Sequence, residues 1–309
     1  MLAQENLFQK FFDSFLVVDV CKIYKDINSI MVIIQPTKYF FKFNLKEIVE
    51  YRDLLMLLVK RDLTVIYKQT ILGPLWFLIQ PLITTVVFTI IFGKVANIST
   101  DGLPHMVFYM SGIVIWNYTQ GVMNTAGNSL ASNSTMLSKV YFPRIIIPLS
   151  GVVSNLVYLG LNMLMFLAFY LYYYFTQTGA IQFAPNWYLL AYPLLILYTA
   201  VVGLGVGLWI AAATTKYRDF RFMLPFIVQI WMYATPIIFP TSVVSNPIYR
   251  AIIWVNPVSV AVELNRFMFT GHTTLDLTAI IIGCVSTIII FFTGLALFNK
   301  VQRNFVDVI

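Results

Sequence analysis

The chain has 309 residues, of which 59% are hydrophobic and only 11% carry a charge. Soluble domains have about 25% charged residues, so this composition excludes an ordinary soluble domain and predicts an integral membrane protein. The net charge of +7 comes from basic residues that border apolar segments. This distribution favours a membrane orientation signal over a nucleic-acid-binding surface, which would gather the basic residues on one soluble face.

The N-terminal part of the chain lacks the long apolar core of a signal peptide, and we predict a cytoplasmic extension over residues 1–44. Residues 45–74 follow it and predict an amphipathic helix in the lipid headgroup layer, with apolar side chains on one face and charged ones on the other. A soluble helix that packs on a partner remains the alternative. Gly73 and Pro74 end this helix, because proline disfavours helical backbone in the residue before it.

Six segments are long and apolar enough to cross a bilayer, which needs about 20 mostly apolar residues. The charge-free run Ile145–Thr215 has 71 residues and holds two of them, separated by a polar break that starts at Thr176. We predict spans over residues 75–93, 106–125, 148–175, 188–212, 222–239 and 277–298. The predicted fold is an all-α integral membrane protein, with a six-span domain over residues 75–300 and a tail over 301–309.

The basic residues predict the orientation of these spans. An even number of spans places both termini on one side, and 17 of the 20 Lys and Arg residues fall on that side. Only Lys94, Arg250 and Arg266 fall on the other. By the positive-inside rule both termini are cytoplasmic.

The segment between the fifth and sixth predicted spans, residues 241–276, is unusually long for an outer loop. Prolines divide it, and its apolar pieces over residues 248–255 and 258–269 are too short to cross a bilayer. We predict two short re-entrant or interfacial helices there. Glu263 and Arg266 are three residues apart, so they can pair on one helical face.

Five motifs in order resemble those of permease subunits of ABC-2 type transporters that export lipid-linked polysaccharides such as O-antigen, capsule or teichoic acid. They are Tyr67–Trp76, Lys139–Arg144 (KVYFPR), Lys216–Asp219 (KYRD), Ala234–Pro236 (ATP), and Asn256-Pro257 followed by Glu263 and Arg266. The resemblance covers about residues 30–300. It departs at Ile66, where a basic residue is expected before Tyr67.

The resemblance implies a homodimer in the bacterial inner membrane that works with two copies of a separate ATPase subunit. ATP and Mg would bind that partner, and no cofactor, metal or catalytic residue is expected on this chain. The implied substrate is a polysaccharide on a polyprenyl lipid, with O-antigen or capsule as first choice and teichoic acid as second.

The resemblance also implies roles for particular residues. The loop over residues 127–144 would dock on the ATPase through Lys139, Tyr141, Phe142, Pro143 and Arg144. Force would also pass through the interfacial helix and its hinge, at Lys60, Arg61, Tyr67, Lys68, Gly73 and Pro74. The segment over 241–276 would form an outer gate with Asn256, Pro257, Glu263 and Arg266. The alternatives are an ordinary loop with snorkelling basic residues and an outer cap that only packs.

Two predicted spans have polar side chains at helical spacing. The first set is Asn117, Gln120 and Asn124, and the second is Asn155, Tyr158 and Asn162. Such groups need partners or water when they lie in lipid. Either they line a hydrophilic conduit for sugars, or they hold neighbouring helices together by hydrogen bonds; the sequence leaves both open.

The sequence contains no phosphate-binding loop, since its only Gly-Lys pair, Gly93-Lys94, lacks the flanking glycine and hydroxyl residues. The predicted spans contain no charged residue, whereas ion-coupled carriers use intramembrane Asp, Glu or His. We therefore expect the energy for transport to come from another chain. An ion-coupled flippase, a drug or small-lipid exporter of the same fold, and a membrane-bound glycosyl- or acyltransferase remain as alternatives.

Overall fold

The computed structural model describes residues 45–68, 73–137, 139–176, 185–217, 219–271 and 275–304. Within these ranges the chain is mostly helical and forms no strand. The predicted extension over residues 1–44 and Arg218 of the KYRD motif lie outside the described residues.

The first helices follow the predicted amphipathic segment. Helix α1 spans Leu45–Glu50 and α2 spans Arg52–Lys68. A 3-10 turn over Gly73–Leu75 then leads into α3, Trp76–Phe88, which continues as a π-helical turn over Thr89–Val95. Because α3 begins directly after this turn, the chain passes from the amphipathic to the fully apolar segment within a few residues.

Helix α4, His105–Gly127, lies at the centre of the protein. Sixteen of its 23 residues are buried, because α7 packs along one of its sides and α8 along another. Two single-turn helices, α5 over Ser129–Ser132 and α6 over Ser134–Leu137, follow it. Helix α7 then spans Ile146–Thr176.

The second half of the chain completes the bundle. A 3-10 turn precedes α8, Tyr192–Lys216, and α9 spans Phe220–Tyr233. Two short helices follow, α10 over Pro247–Val255 and α11 over Pro257–Thr270. Each begins with a proline that follows an asparagine, and the asparagine side chain accepts a hydrogen bond from a backbone N–H of the first turn. An asparagine N-cap followed by proline is a favourable start for a helix. Helix α12, Leu277–Asn304, packs on α8.

Four of the helical segments in the described ranges are long and apolar enough to cross a membrane. They are Trp76–Val95, Ile146–Thr176, Trp187–Lys216 and Leu277–Gln302. Helix α4 corresponds to the second predicted span, but it is less apolar because it contains the polar stripe. Helix α9 corresponds to the fifth and has 14 residues, about 21 Å, which is shorter than the hydrocarbon core of a bilayer. The prediction that this span is helical to residue 239 is wrong, since residues 234–239 form turns around Pro236.

Small residues allow the central helices to approach closely. A Cβ on Gly207 of α8 would lie 2.5 Å from the Cβ of Ala126 on α4, and one on Gly294 of α12 would lie 2.4 Å from the Gly205 carbonyl oxygen. A larger side chain at either position would force the backbones apart. The small-residue face of α8 is therefore a packing face, as is common between membrane helices.

Candidate functional site

The contacts between helices define two ends of the bundle. At the end that the sequence predicts to be cytoplasmic, which we call the inner end, Thr214 Oγ1 of α8 donates a hydrogen bond to the Gly127 carbonyl oxygen of α4, at 3.2 Å. At the opposite end, which we call the outer end, Tyr170 Oη of α7 donates to the Phe269 carbonyl oxygen of α11, at 2.8 Å. The predicted coupling loop lies at the inner end and the predicted outer gate at the other.

A separate hydrophobic cluster lies at the inner end, apart from the main core. Leu58 of α2 is buried against Phe142, Ile146 and Ile147, and apolar side chains of α1–α2 and α6 pack around them. Arg61 of α2 adds a polar contact, since its Nη1 donates to Asn133 Oδ1 at 3.0 Å. The amphipathic helix is thus fixed to the loop over residues 127–144 and to the start of α7.

The KVYFPR motif divides into exposed and buried residues. Lys139, Val140 and Tyr141 are exposed on the surface of the chain, and Tyr141 is 83% exposed. Phe142 is only 5% exposed. Arg144 is partly buried, and its Nη1 donates to the Gln302 carbonyl oxygen at the end of α12. Burial lowers the pKa of the Arg144 guanidinium, because its charge is partly removed from water. The five predicted coupling residues therefore do not form one outward surface.

The predicted hinge lies between α2 and α3. Gly73 has a positive φ of 51°, a backbone conformation that glycine adopts without strain. Lys60 and Lys68 are exposed. The side chains of Tyr67 and Pro74 lie outside the described part of the structure.

The two polar stripes differ in their surroundings. Asn117, Gln120 and Asn124 of α4 are partly exposed. On α7, Asn155 is buried and its Nδ2 donates to Thr125 Oγ1 of α4, at 3.2 Å. Asn155 therefore holds α4 and α7 together. Of the two roles that the sequence leaves open for this residue, this bond favours the one between neighbouring helices over the lining of a conduit.

The remaining residues of the α7 stripe are buried or partly buried. Asn162 is buried, and its Nδ2 donates to the Tyr158 carbonyl oxygen one turn earlier, at 2.9 Å. The Tyr158 ring packs on Phe77 of α3, with ring centroids 4.2 Å apart. Asn155 and Tyr158 of the α7 stripe thus contact neighbouring helices, whereas all three residues of the α4 stripe are partly exposed.

A buried ion pair lies at the outer end. Arg266 Nη1 is 3.1 Å from Glu263 Oε1, and both side chains are almost fully buried. Arg266 Nη2 also donates to the Ile237 carbonyl oxygen at 3.1 Å, and its guanidinium carbon lies 3.7 Å from the centroid of the Phe108 ring. These contacts connect α11 to α4 and to the turn after α9.

Further polar contacts involve the segment that follows α9. Thr241 Oγ1 donates to Glu263 Oε1 at 3.4 Å. Asn256 Nδ2 donates to Thr235 Oγ1 at 3.0 Å. Burial raises the pKa of the Glu263 carboxyl, because its charge is removed from water, and Arg266 opposes this shift.

Sequence reasoning missed several residues of this network. Asn265 Nδ2 donates to the Ser111 carbonyl oxygen at 2.8 Å, so it joins α11 to α4. Phe108 and Tyr170 also contact α11. The sequence could have indicated a contact for Asn265, since an amide in an apolar helix needs a partner. It could not have done so for Phe108, because nothing distinguishes this residue from the other apolar residues of its helix. The described residues contain no cluster of potential metal ligands.

Comparison with known proteins identifies the family. The ABC-2 type transporter family matches residues 53–270, which extend from α2 to the end of α11. The chain belongs to the ABC-2 type transporter family. This membership confirms the predicted resemblance, and the matched region contains both the inner cluster and the outer network.

Individual relatives within this family are similar over nearly their whole length. The chain is 23% identical to the O-antigen export system permease protein RfbA of Myxococcus xanthus, over 85% of this chain and 97% of the relative. It is 25% identical to the protein of the same name from Klebsiella pneumoniae, over 83% and 95%. It is 20% identical to the polysialic acid transport protein KpsM of Escherichia coli, over 74% and 85%.

Proposed function

We propose that this chain is the membrane subunit of an ATP-driven exporter that moves a lipid-linked polysaccharide of the O-antigen or capsule type. The observation that carries the proposal is the alignment with O-antigen export permeases over 95–97% of their length. The polysialic acid transport protein among the relatives supports polysaccharide as the substrate class.

The energy source in this proposal is a separate ATPase that binds ATP and Mg. The sequence has no phosphate-binding loop of its own. The exposed residues Lys139–Tyr141, which we call the docking tip, offer a cation and an aromatic ring on the surface at the inner end. We assign the docking of two ATPase subunits, one on each copy of a homodimer, to this tip.

The membrane arrangement in this proposal has six segments and two cytoplasmic termini in a bacterial inner membrane. The four long apolar helices supply four segments. Helix α4 supplies a fifth, screened from lipid by α7 and α8, and α9 a short sixth. The distribution of Lys and Arg supports this topology.

The conduit in this proposal is lined by the partly exposed stripe of α4: Asn117, Gln120 and Asn124. Amides suit a sugar substrate because they donate and accept hydrogen bonds without a fixed charge. Asn155 is assigned to helix packing on account of its burial and its bond to Thr125 of α4, and Asn162 on account of its burial. Helices α10 and α11 form the outer gate as re-entrant elements, and the Glu263–Arg266 pair holds their position.

The proposal is tested by expressing the permease with a candidate ATPase and purifying the complex. We expect the ATPase to co-purify, and ATP hydrolysis in proteoliposomes to rise when polyprenyl-linked polysaccharide is added. Teichoic acid precursors and small lipids serve as competing substrates. Transport of polysaccharide by the permease alone under an ion gradient would contradict the proposal, as would sugar or acyl transfer by the isolated chain.

A further inference from the structure

Two side chains at the outer end are buried with a polar atom that lacks a partner among the described residues. Tyr109 of α4 is 0% exposed and Arg266 of α11 is 2% exposed. Neither the Tyr109 hydroxyl nor the Arg266 Nε–H makes a hydrogen bond to any described residue. Native proteins satisfy nearly all buried polar groups, because a buried group that has lost water without gaining a partner is destabilising. These two atoms therefore require a partner beyond the hydrogen bonds described above.

Arg266 lies against the face of α4 that contains Tyr109. Its guanidinium carbon is 3.7 Å from the centroid of the Phe108 ring, and its Nη2 is 3.2 Å from the position that a Cβ on Gly112 would take. Phe108 is the residue before Tyr109, and Gly112 is its neighbour on the helix surface three residues later. The charge of Arg266 also acts on the Tyr109 hydroxyl. The two unpartnered groups are therefore close to each other, although they form no direct hydrogen bond.

The other hydrogen bonds of Arg266 fix the direction of its Nε–H. Nη1 donates to Glu263 Oε1 and Nη2 donates to the Ile237 carbonyl oxygen, each at 3.1 Å. Because the guanidinium is planar and its five N–H groups point in fixed directions, it cannot turn its Nε–H to another acceptor without losing these bonds. The Tyr109 hydroxyl, by contrast, can donate or accept. A group that accepts from Nε–H and also bonds to this hydroxyl would satisfy both side chains.

The charges around this position favour a neutral ligand. Arg266 is paired with Glu263, and the charge of Asp101 acts on both residues. One positive and two negative charges leave no excess positive charge to hold an anion, and the guanidinium repels a cation. Water is small and neutral and can both donate and accept, and buried waters in proteins typically bond to polar groups that are otherwise unsatisfied.

We infer that a buried water molecule is bound between Tyr109 and Arg266, where it accepts a hydrogen bond from Nε–H and shares another with the Tyr109 hydroxyl. This water joins α4 to α11. It adds to the direct bond from Asn265 to the Ser111 carbonyl oxygen between the same two helices. The site does not depend on the proposed function, since it requires neither an ATPase nor a substrate.

A density map of the wild-type permease in nanodiscs, at a resolution that shows ordered waters, tests the site directly. We expect a peak about 2.7–3.2 Å from both Tyr109 Oη and Arg266 Nε.

Three structural results would overturn the inference. One is a direct hydrogen bond between the two side chains. Another is a map that shows waters elsewhere in the buried core but no peak between Tyr109 and Arg266. The third is an anomalous signal at this position in crystals grown with bromide, which would show that the site holds an anion instead of water.

Thermal unfolding of the detergent-purified permease gives a second test, with Tyr118→Phe as the matched control. Tyr118 is also buried on α4 and its hydroxyl also lacks a partner among the described residues, but no charged group of these residues acts on it. Removing a hydroxyl that is bonded to the water should lower the unfolding midpoint of Tyr109→Phe by about 2–4 °C. Tyr118→Phe should unfold at or above the wild-type temperature. The same result for Tyr109→Phe would overturn the inference, because its hydroxyl would then have no bond to lose.

Discussion

Arg266 is a positive charge that the protein keeps almost fully buried at its outer end. Removing a charge from water costs several kcal/mol unless partners compensate. Here the compensation comes from Glu263, from the Ile237 carbonyl oxygen and from the face of the Phe108 ring. Each partner belongs to a different segment, so the guanidinium fixes their relative positions. The pair is therefore evidence of a defined arrangement at this end rather than of high stability.

Removing Arg266 alone should destabilise the protein strongly. In Arg266→Met the Glu263 carboxylate would remain buried without its counter-charge, and loss of one partner of such a pair costs about 3–5 kcal/mol. We expect a clearly lower midpoint of thermal unfolding for the detergent-purified permease, followed by tryptophan fluorescence. The double variant Glu263→Met with Arg266→Met should recover most of the loss.

Lys94→Met is the control for this measurement, because Lys94 is exposed and its removal leaves no buried charge. It should unfold at the wild-type temperature. An Arg266→Met protein that unfolds with Lys94→Met would show that the burial of the pair has no energetic consequence.

The helices differ in how well their ends could be predicted from the sequence. The fifth predicted span was placed over residues 222–239, but α9 ends at Tyr233. The sequence remains apolar through Ile237 and Ile238, so hydropathy does not indicate where α9 ends. The stop comes from Pro236, which disfavours helical backbone in the residue before it. Backbone chemistry locates this end better than apolar character does.

The turn between α2 and α3 predicts a specific effect of the residue at position 73. Gly73 has a φ of 51°, and an added Cβ would meet no atom of the described residues within 4 Å. Gly73→Ala therefore meets no clash with the described part of the chain, but it strains the backbone by about 1–2 kcal/mol. If the turn works as a hinge at this φ, Gly73→Ala should lower polysaccharide export without loss of the ATPase on purification.

Asparagine is the matched control at this position, because it tolerates positive φ better than alanine does. Gly73→Asn should export more than Gly73→Ala, although its side chain is larger. Equal, wild-type export from both variants would exclude a hinge role for this glycine.

At the scale of the whole molecule, the sequence predicted an all-helical membrane protein and its family, because apolar length and motif order are local properties of the chain. It also predicted which residues share a helical face. It could not predict which helix that face meets, since this depends on packing between distant segments. For example, Asn155 donates a hydrogen bond to Thr125 of α4, whereas Asn117 is partly exposed. The exposure of Tyr141 and the burial of Phe142 could not be predicted for the same reason.

In a homodimer, two copies of the chain are expected to meet at the outer gate. Helix α10 has a stripe of exposed apolar residues: Ile248, Tyr249, Ile252 and Val255. In a homodimer whose conduit lies between the copies, this stripe is a candidate for contact across the two-fold axis. We expect Ile252→Cys, in a chain with Cys21→Ser and Cys284→Ala, to form a disulfide-linked dimer on oxidation, visible by gel electrophoresis.

The linked dimer should export no polysaccharide while its ATPase partners continue to hydrolyse ATP, because the link blocks the outer gate and leaves the docking tips free. Reduction should restore export, which separates the link from any effect of the substitution itself. The unlinked cysteine variant is the reference for both activities. Normal export by the linked dimer would mean that α10 does not move during transport, and the gate would then have to lie elsewhere.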